Sequence, residues 1–103
     1  MIFARVVGNV VCTRKEEKLV GTKLLLVQPV SLEGESKGIP LVAIDAVGSG
    51  EGELVLLVQG SSARQTRQTE GSPVDCVVFA VVDSIEKQGK TVFSKSEDFK
   101  KDK

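Results

Sequence analysis

Ile39-Pro40-Leu41-Val42-Ala43-Ile44-Asp45-Ala46-Val47-Gly48-Ser49-Gly50-Glu51-Gly52-Glu53-Leu54-Val55-Leu56-Leu57-Val58-Gln59 is the stretch on which the fold turns. Two apolar runs rich in β-branched residues flank a short segment dense in glycine. The composition predicts a strand over Ile39 to Val47, a loop over Gly48 to Gly52 and a strand over Glu53 to Gln59. Both runs are apolar almost without alternation, so both of their faces have to be covered. The simplest reading of the loop is a tight hairpin between the two strands.

Toward the N-terminus, Ile2 to Thr13 consists almost wholly of β-formers. Gly8 interrupts it, which predicts a long strand with a bulge or kink there. Arg14 to Val20 is charged and reads as a loop. Thr22 to Val30 is a second strand, with Pro29 marking an edge or an exit, and Ser31 to Gly38 is a polar turn. Toward the C-terminus, Ser61, Ser62, Ala63 and Arg64 suit one or two helical turns that either serine could cap. Gln65 to Pro73 is polar and loose. Val74 to Ile85 is a fifth strand, Gln88-Gly89 a turn, and Lys90 to Ser94 a short sixth strand that pairs back. The predicted fold is all-β: a small closed five-stranded barrel of OB type, residues 1–94, with one short helix and a charged tail over 95–103. A two-sheet sandwich is the competing architecture. One small barrel covers only one face of each strand, so the remaining apolar faces argue for packing between subunits.

The length, 103 residues, suits one core. Fourteen basic and fourteen acidic residues cancel, and Trp and Tyr are absent. A nucleic-acid binder needs a basic face, and for single strands aromatic platforms, so this balance argues against one. The segment from Ser31 to Gly60 is acidic, with Glu33, Glu35, Asp45, Glu51 and Glu53 against Lys37. The N-terminus has no basic region ahead of its apolar run and does not read as a signal peptide. No run approaches the roughly 18 apolar residues of a membrane span. Cys12 and Cys76 each sit among valines and read as two buried free thiols, which suits a cytoplasmic setting.

Much chemistry is excluded by what is missing. Without histidine there is no Ser-His-Asp or Cys-His arrangement and no imidazole ligand. Two cysteines do not build a four-ligand zinc site. Gly48, Gly50 and Gly52 do not form a dinucleotide fingerprint, because Glu53 stands at the third glycine position and a strand follows. Gly89-Lys90-Thr91 lacks the leading glycine of a phosphate loop. Paired carboxylates such as Glu51 and Glu53, at a strand end, are ordinarily solvated. No catalytic residue, cofactor site or metal site is expected.

One block carries a resemblance. Asp45-Ala46-Val47-Gly48-Ser49-Gly50-Glu51-Gly52-Glu53 with Val55-Leu56, followed by Gly60-Ser61-Ser62-Ala63-Arg64, closely resembles the EutN/CcmL family of microcompartment vertex proteins. Val7-Gly8-Asn9-Val10-Val11 with Thr13 and Lys15, then Gly21 to Gln28, and Pro73-Val74-Asp75 leading to Val82-Asp83, agree in order and spacing. The likeness spans residues 1–85.

The resemblance implies an OB-type barrel that forms a homopentamer and caps the five-fold corners of a shell in the bacterial cytoplasm, beside hexameric shell proteins. The composition and the missing motifs lead to the expectation of no nucleic-acid, membrane or cofactor partner. The resemblance places Gly48, Ser49, Gly50, Glu51 and Gly52 near the five-fold axis. Asp45, Glu53, Ser61, Ser62 and Arg64 would lie at or near the subunit interface, and Arg14 and Lys15 at possible contacts with neighbouring tiles. A five-fold ring needs a heterologous interface. Asp45 is expected either to cap the loop N–H groups or to pair with Arg64. Ser49 departs from the alanine common at its position, and its hydroxyl is expected to be available for hydrogen bonding at the axis. The alternative function is a monomeric OB-type module binding single-stranded nucleic acid.

Overall fold

A computed structural model describes residues 1–60 and 75–100. Strands β1 (Ile2–Val10), β2 (Leu24–Pro29), β3 (Leu41–Asp45), β4 (Leu54–Gln59) and β5 (Cys76–Val81) form a closed barrel in the order β1-β2-β3-β5-β4. Strand β1 pairs antiparallel with both β2 and β4, and the barrel closes through a parallel pairing of β3 with β5. This is the expected five-stranded barrel. The helix expected over Ser61 to Arg64 lies outside the described residues. A 3-10 turn, Glu17–Leu19, stands where a charged loop was expected.

Alternation along the strands builds the interior. Ala4 and Val6, Leu25 and Val27, Val55 and Leu57, and Cys76 and Val78 all point inward and form one cluster with Ala43. Strand β1 is bulged where predicted: Val6 faces Val27 while Gly8 faces Leu26, leaving Val7 as the extra residue. A second bulge, in β5, sets Leu57 against Val78 and Leu56 against Ala80. Phe79 is the residue skipped there, and it stands 45% exposed.

Three expectations are corrected. The segments flanking the glycine loop do not form a hairpin with each other: β3 pairs with β2 and β5, and β4 with β1 and β5. The loop is therefore a crossover between strands that are not neighbours. The fifth strand stops at Val81, and the chain continues after Val82-Asp83 as β6 (Ser84–Lys87), which pairs with β7 (Lys90–Ser94) through a turn at Gln88-Gly89. Both turn residues have positive φ, 53° and 78°, as a two-residue hairpin turn demands. Residues 95–100, read from the sequence as tail, carry β8 (Asp98–Phe99), which pairs with β7.

The β6-β7-β8 sheet also changes the argument from doubly apolar strands. Val30, Leu54, Val82 and Phe93 form a second buried cluster, with Phe3, Leu56, Ile85 and Phe99 packed against it. Phe3, Leu54 and Leu56 alternate with the residues that face the barrel interior, so this arm covers the outer face of β1 and β4 from within the same chain. On another side, Leu19 of the 3-10 turn, with Leu24 and Ala46, packs on Ile44 and Val77. Only part of the outer apolar surface is left for a neighbour. It includes Ile39 at 76% exposure and Val42 at 50%.

Candidate functional site

The loop from Asp45 to Glu53 begins where the barrel closes. Asp45 is the last residue of β3 and pairs with Val78 of β5. Its N–H donates to Lys23 O at 3.0 Å, and the next N–H, of Ala46, donates to Val78 O at 3.2 Å. The Asp45 side chain, 2% exposed, then turns into the loop. Its Oδ1 accepts from the N–H groups of Val47 (3.1 Å), Gly48 (3.1 Å) and Ser49 (3.2 Å), and from the Ser49 hydroxyl at 3.0 Å. One oxygen thus gathers four donors, the arrangement by which aspartate stabilises a turn. Lys23 backs it: its ammonium donates to Ser49 O at 3.0 Å and lies 3.9 Å from Asp45 Oδ2.

Ser49 is fully buried, and its hydroxyl is spent on Asp45. The expectation that this hydroxyl is available at an axis is corrected; the side chain points into its own chain.

The far end of the loop is held by Glu53. Its Oε1 accepts from the Gly50 N–H at 2.6 Å and its Oε2 pairs with Lys95 at 2.9 Å. The Lys95 ammonium and the Gly50 N–H together hold the Glu53 carboxyl below its usual value. The backbone is pinned as well, since the Gly52 N–H donates to Val6 O at 2.8 Å and the Val6 N–H to Glu53 O at 3.0 Å. Arg5 donates to Gly52 O at 3.0 Å and to Asp98 Oδ1 at 2.7 Å. That guanidinium keeps the Asp98 carboxyl below its ordinary range.

The three loop glycines are not equivalent. Gly48 and Gly52 have φ of 78° and 91°, a region that side chains other than glycine's disfavour. Gly50 has no positive φ, and a methyl group placed on it meets only Glu53 Oε1, at 3.7 Å. Among the described residues, nothing in its own chain requires a glycine there. Glu51 stands exposed beside it and makes no salt bridge among the described residues.

Of the residues expected at the site, the chain brings together Asp45, Gly48, Ser49, Gly50, Glu51, Gly52 and Glu53. Ser61, Ser62 and Arg64 lie outside the described residues, so Asp45 pairing with Arg64 does too. Arg14 and Lys15 sit in the exposed segment after β1, where the Lys15 ammonium donates to Cys12 O at 3.1 Å. Cys12 falls beyond the end of β1 and is half-buried rather than buried. Cys76 is buried, with its thiol raised to about 11, chiefly by burial and then by Asp75.

Sequence reasoning missed Lys23, Arg5, Lys95 and Asp98. Arg5 and Lys95 lie more than 40 residues from the loop residues they hold, Asp98 acts through Arg5, and no local pattern announces them. Among the described residues, no group of three or more His, Cys, Asp or Glu side chains is placed to hold a metal. What the arrangement can do is hold a short glycine-rich backbone segment in one conformation at the barrel surface.

Comparison with known proteins agrees with that picture. Residues 1–83 match the family described as "Ethanolamine utilisation protein EutN/carboxysome". The chain is 47% identical over 95 residues to the microcompartment shell vertex protein EutN of Salmonella typhimurium, covering 92% of this chain and 96% of that one. It is 38% identical over 100 residues to the carboxysome shell vertex protein CcmL of Gloeobacter violaceus, covering 97% and 100%. The solved structure of Gloeobacter violaceus CcmL superposes with a TM-score of 0.89 at 39% identity over 94% of this chain and 100% of that one. The GrpN pentameric microcompartment shell protein of Rhodospirillum rubrum superposes at 0.77 with 41% identity, covering 84% and 99%. With the family match over residues 1–83 and these identities over nearly the whole length, the chain belongs to the EutN/CcmL family.

Proposed function

We propose that this chain is the subunit of a five-fold ring that caps the corners of a bacterial microcompartment shell in the cytoplasm, with the Gly48–Gly52 segment at the axis. Its role is structural and it catalyses no reaction. A flat hexagonal layer closes only when five-fold units stand at its corners, and the ring supplies them beside hexameric facet proteins. The observation that carries the axial placement is Gly50. Its φ is not positive, and among the described residues its own chain leaves room for a side chain, which supports a role for this glycine in close approach to neighbouring copies. Five converging copies require such an approach. Five Glu51 carboxylates then ring the axis.

A heterologous ring contact joins two different patches. A groove of about 300 Å³ lined by Ile2, Phe3, Pro29, Ile39 and Leu41 and the outward Phe79 and Val47 supply exposed apolar surface for it among the described residues. Arg14 and Lys15 reach toward neighbouring tiles. Asp45 and Glu53 shape the loop and act on the interface through it. The nucleic-acid alternative is set aside, since the relatives are named as shell proteins and the chain has neither basic excess nor Trp or Tyr.

Native mass spectrometry tests the reading. Five chains of 11.0 kDa give a particle near 55 kDa at micromolar concentration, and a monomer or dimer there overturns it. Gly50→Val tests the axial loop: the barrel should fold while the ring is lost. A Gly50→Val protein that remains pentameric with unchanged melting refutes the placement.

A further inference from the structure

The glycine loop is tied to the β6-β7-β8 arm at two places, and nothing about the barrel requires this. At one end Glu53 joins the Gly50 N–H (2.6 Å) to the Lys95 ammonium (2.9 Å). At the other Arg5 joins Gly52 O (3.0 Å) to the Asp98 carboxylate (2.7 Å). The arm is itself seated on the barrel by aromatic packing. Phe99 lies 4.9 Å from the Phe93 ring, between centroids. The Arg5 guanidinium lies over the Phe99 ring at 5.5 Å, within range of a cation–π contact. Gly34, in the turn after β2, offers its bare Cα to the Phe99 ring, and a Cβ there would collide with the ring. The short strand β8 is thus locked between the arm, the Ser31 turn and Arg5.

We propose that Arg5, Lys95 and Asp98 are positioning residues that form a clasp, by which the C-terminal arm fixes the conformation of the glycine-rich loop. One tie spans Gly50 to Glu53 and the other holds Gly52 between them, and both reach to the segment 95–98. Arm and loop are ordered together, and releasing the arm frees the loop while the barrel interior, built from other residues, stays closed. The clasp operates within one chain, so it holds whatever number of chains assemble.

Amide hydrogen exchange on the full-length protein reads this directly, with Gly50 and Gly52 reporting the loop and Val55, Leu57 and Val77 the barrel. Lys95→Ala and Asp98→Ala should each speed exchange at Gly50 and Gly52 by about two- to five-fold, the range of exposed ion pairs. The double variant should do more than either. Barrel amides should be unchanged, and Lys95→Arg should restore protection where a purely steric loss would not be restored. In the unaltered protein, about 1 M salt screens exposed pairs and should speed the same two amides, with no such effect in the double variant. Unchanged loop exchange in the double variant overturns the proposal. So does an increase that spreads equally to Val55, Leu57 and Val77. Should the double variant fail to fold, the salt arm alone decides.

Discussion

Replacing Asp45 with alanine removes the acceptor on which the loop is built. The carboxylate receives four donors, and their fates differ. Val47 and Gly48 are exposed, so water replaces Asp45 for their N–H groups at small cost. Ser49 is fully buried, so its N–H and hydroxyl lose their acceptor without access to solvent. Each orphaned buried donor costs about 1–3 kcal/mol. Local relaxation that admits water keeps the sum near the lower end, so the expected loss is about 3 kcal/mol. For a chain of this size each kcal/mol moves the melting midpoint by about 4–8 °C. Asp45→Ala should therefore melt roughly 12–24 °C below the parent. Asp45→Asn keeps the accepting oxygen in place and forfeits only the charge, including its attraction to Lys23, so it should lose about 1 kcal/mol. Thermal melts followed by circular dichroism at equal protein concentration, because assembly makes the midpoint concentration-dependent, compare the three proteins. An Asp45→Ala protein melting within about 3 °C of the parent refutes the reasoning. An Asp45→Asn protein falling as far as the alanine variant refutes it equally, since the shared acceptor would not then be what matters.

Other outcomes follow from the same geometry. Gly48→Ala and Gly52→Ala should each lose about 1–2 kcal/mol, because the left-handed backbone at both positions penalises a Cβ, whereas Gly50→Ala should leave the fold's stability unchanged in urea titration. Gly34→Ala should dislodge Phe99 and release β8, seen as loss of amide protection at Phe99 and Lys100 with the barrel amides retained; protection unchanged from the parent refutes the seat. Alkylation at about pH 8 should label the half-buried Cys12 well before Cys76, whose thiol at about 11 is neutral there, and equal rates would contradict that burial. Glu53 and Asp98 titrate below their usual 4.5 and 3.8 in the folded chain. The unfolded chain therefore takes up protons first, and the contribution of both pairs is full at neutral pH and lost as the pH falls below about 4. Lys95 is raised above 10.5, so its side of the pair fails only in strong alkali. A Glu53→Gln, Asp98→Asn double variant should accordingly lose stability less steeply in acid than the parent, and an identical acid limb would count against both pairs.

How much of this was legible in the residues follows from the range over which each feature is encoded. The barrel strands and the bulge at Gly8 are written locally, in valine-rich runs and their punctuation. So is the loop, because an aspartate three residues ahead of a glycine-dense segment is a turn signal in itself. Which strands lie side by side is not local. The parallel pairing of Ile44 with Val77 joins segments whose sequences carry no mark of each other, and the hairpin reading of Gly48 to Gly52 failed for that reason. Strand β8 is two residues long and has no period to detect; Phe99 sits in a run of charges and gives no sign of the aromatic seat it fills. The run Glu53 to Gln59 was read as needing cover on both of its faces, and Leu54 and Leu56 are covered on the outer one. Cover from the chain's own arm and cover from a neighbour leave the same pattern in a strand, and here the arm supplies much of it.

The strand order has a consequence for how the molecule comes into being. As the chain is made, β1, β2, β3 and β4 can all pair once Gln59 has emerged, and Asp45 can gather its four donors from residues close at hand. The ring of strands nevertheless stays open until β5 arrives, because both β3 and β4 wait for it. Closure is thus a late, long-range event, slow by the cost of bringing distant segments together. The glycine segment is shaped before the wall beside it is complete, and β3 and β4 expose unpaired edges during that interval. Cys76, Val77 and Val78 finish the wall and cover those edges, which makes the segment carrying them the point at which a nascent chain stops being prone to pair with its neighbours by mistake.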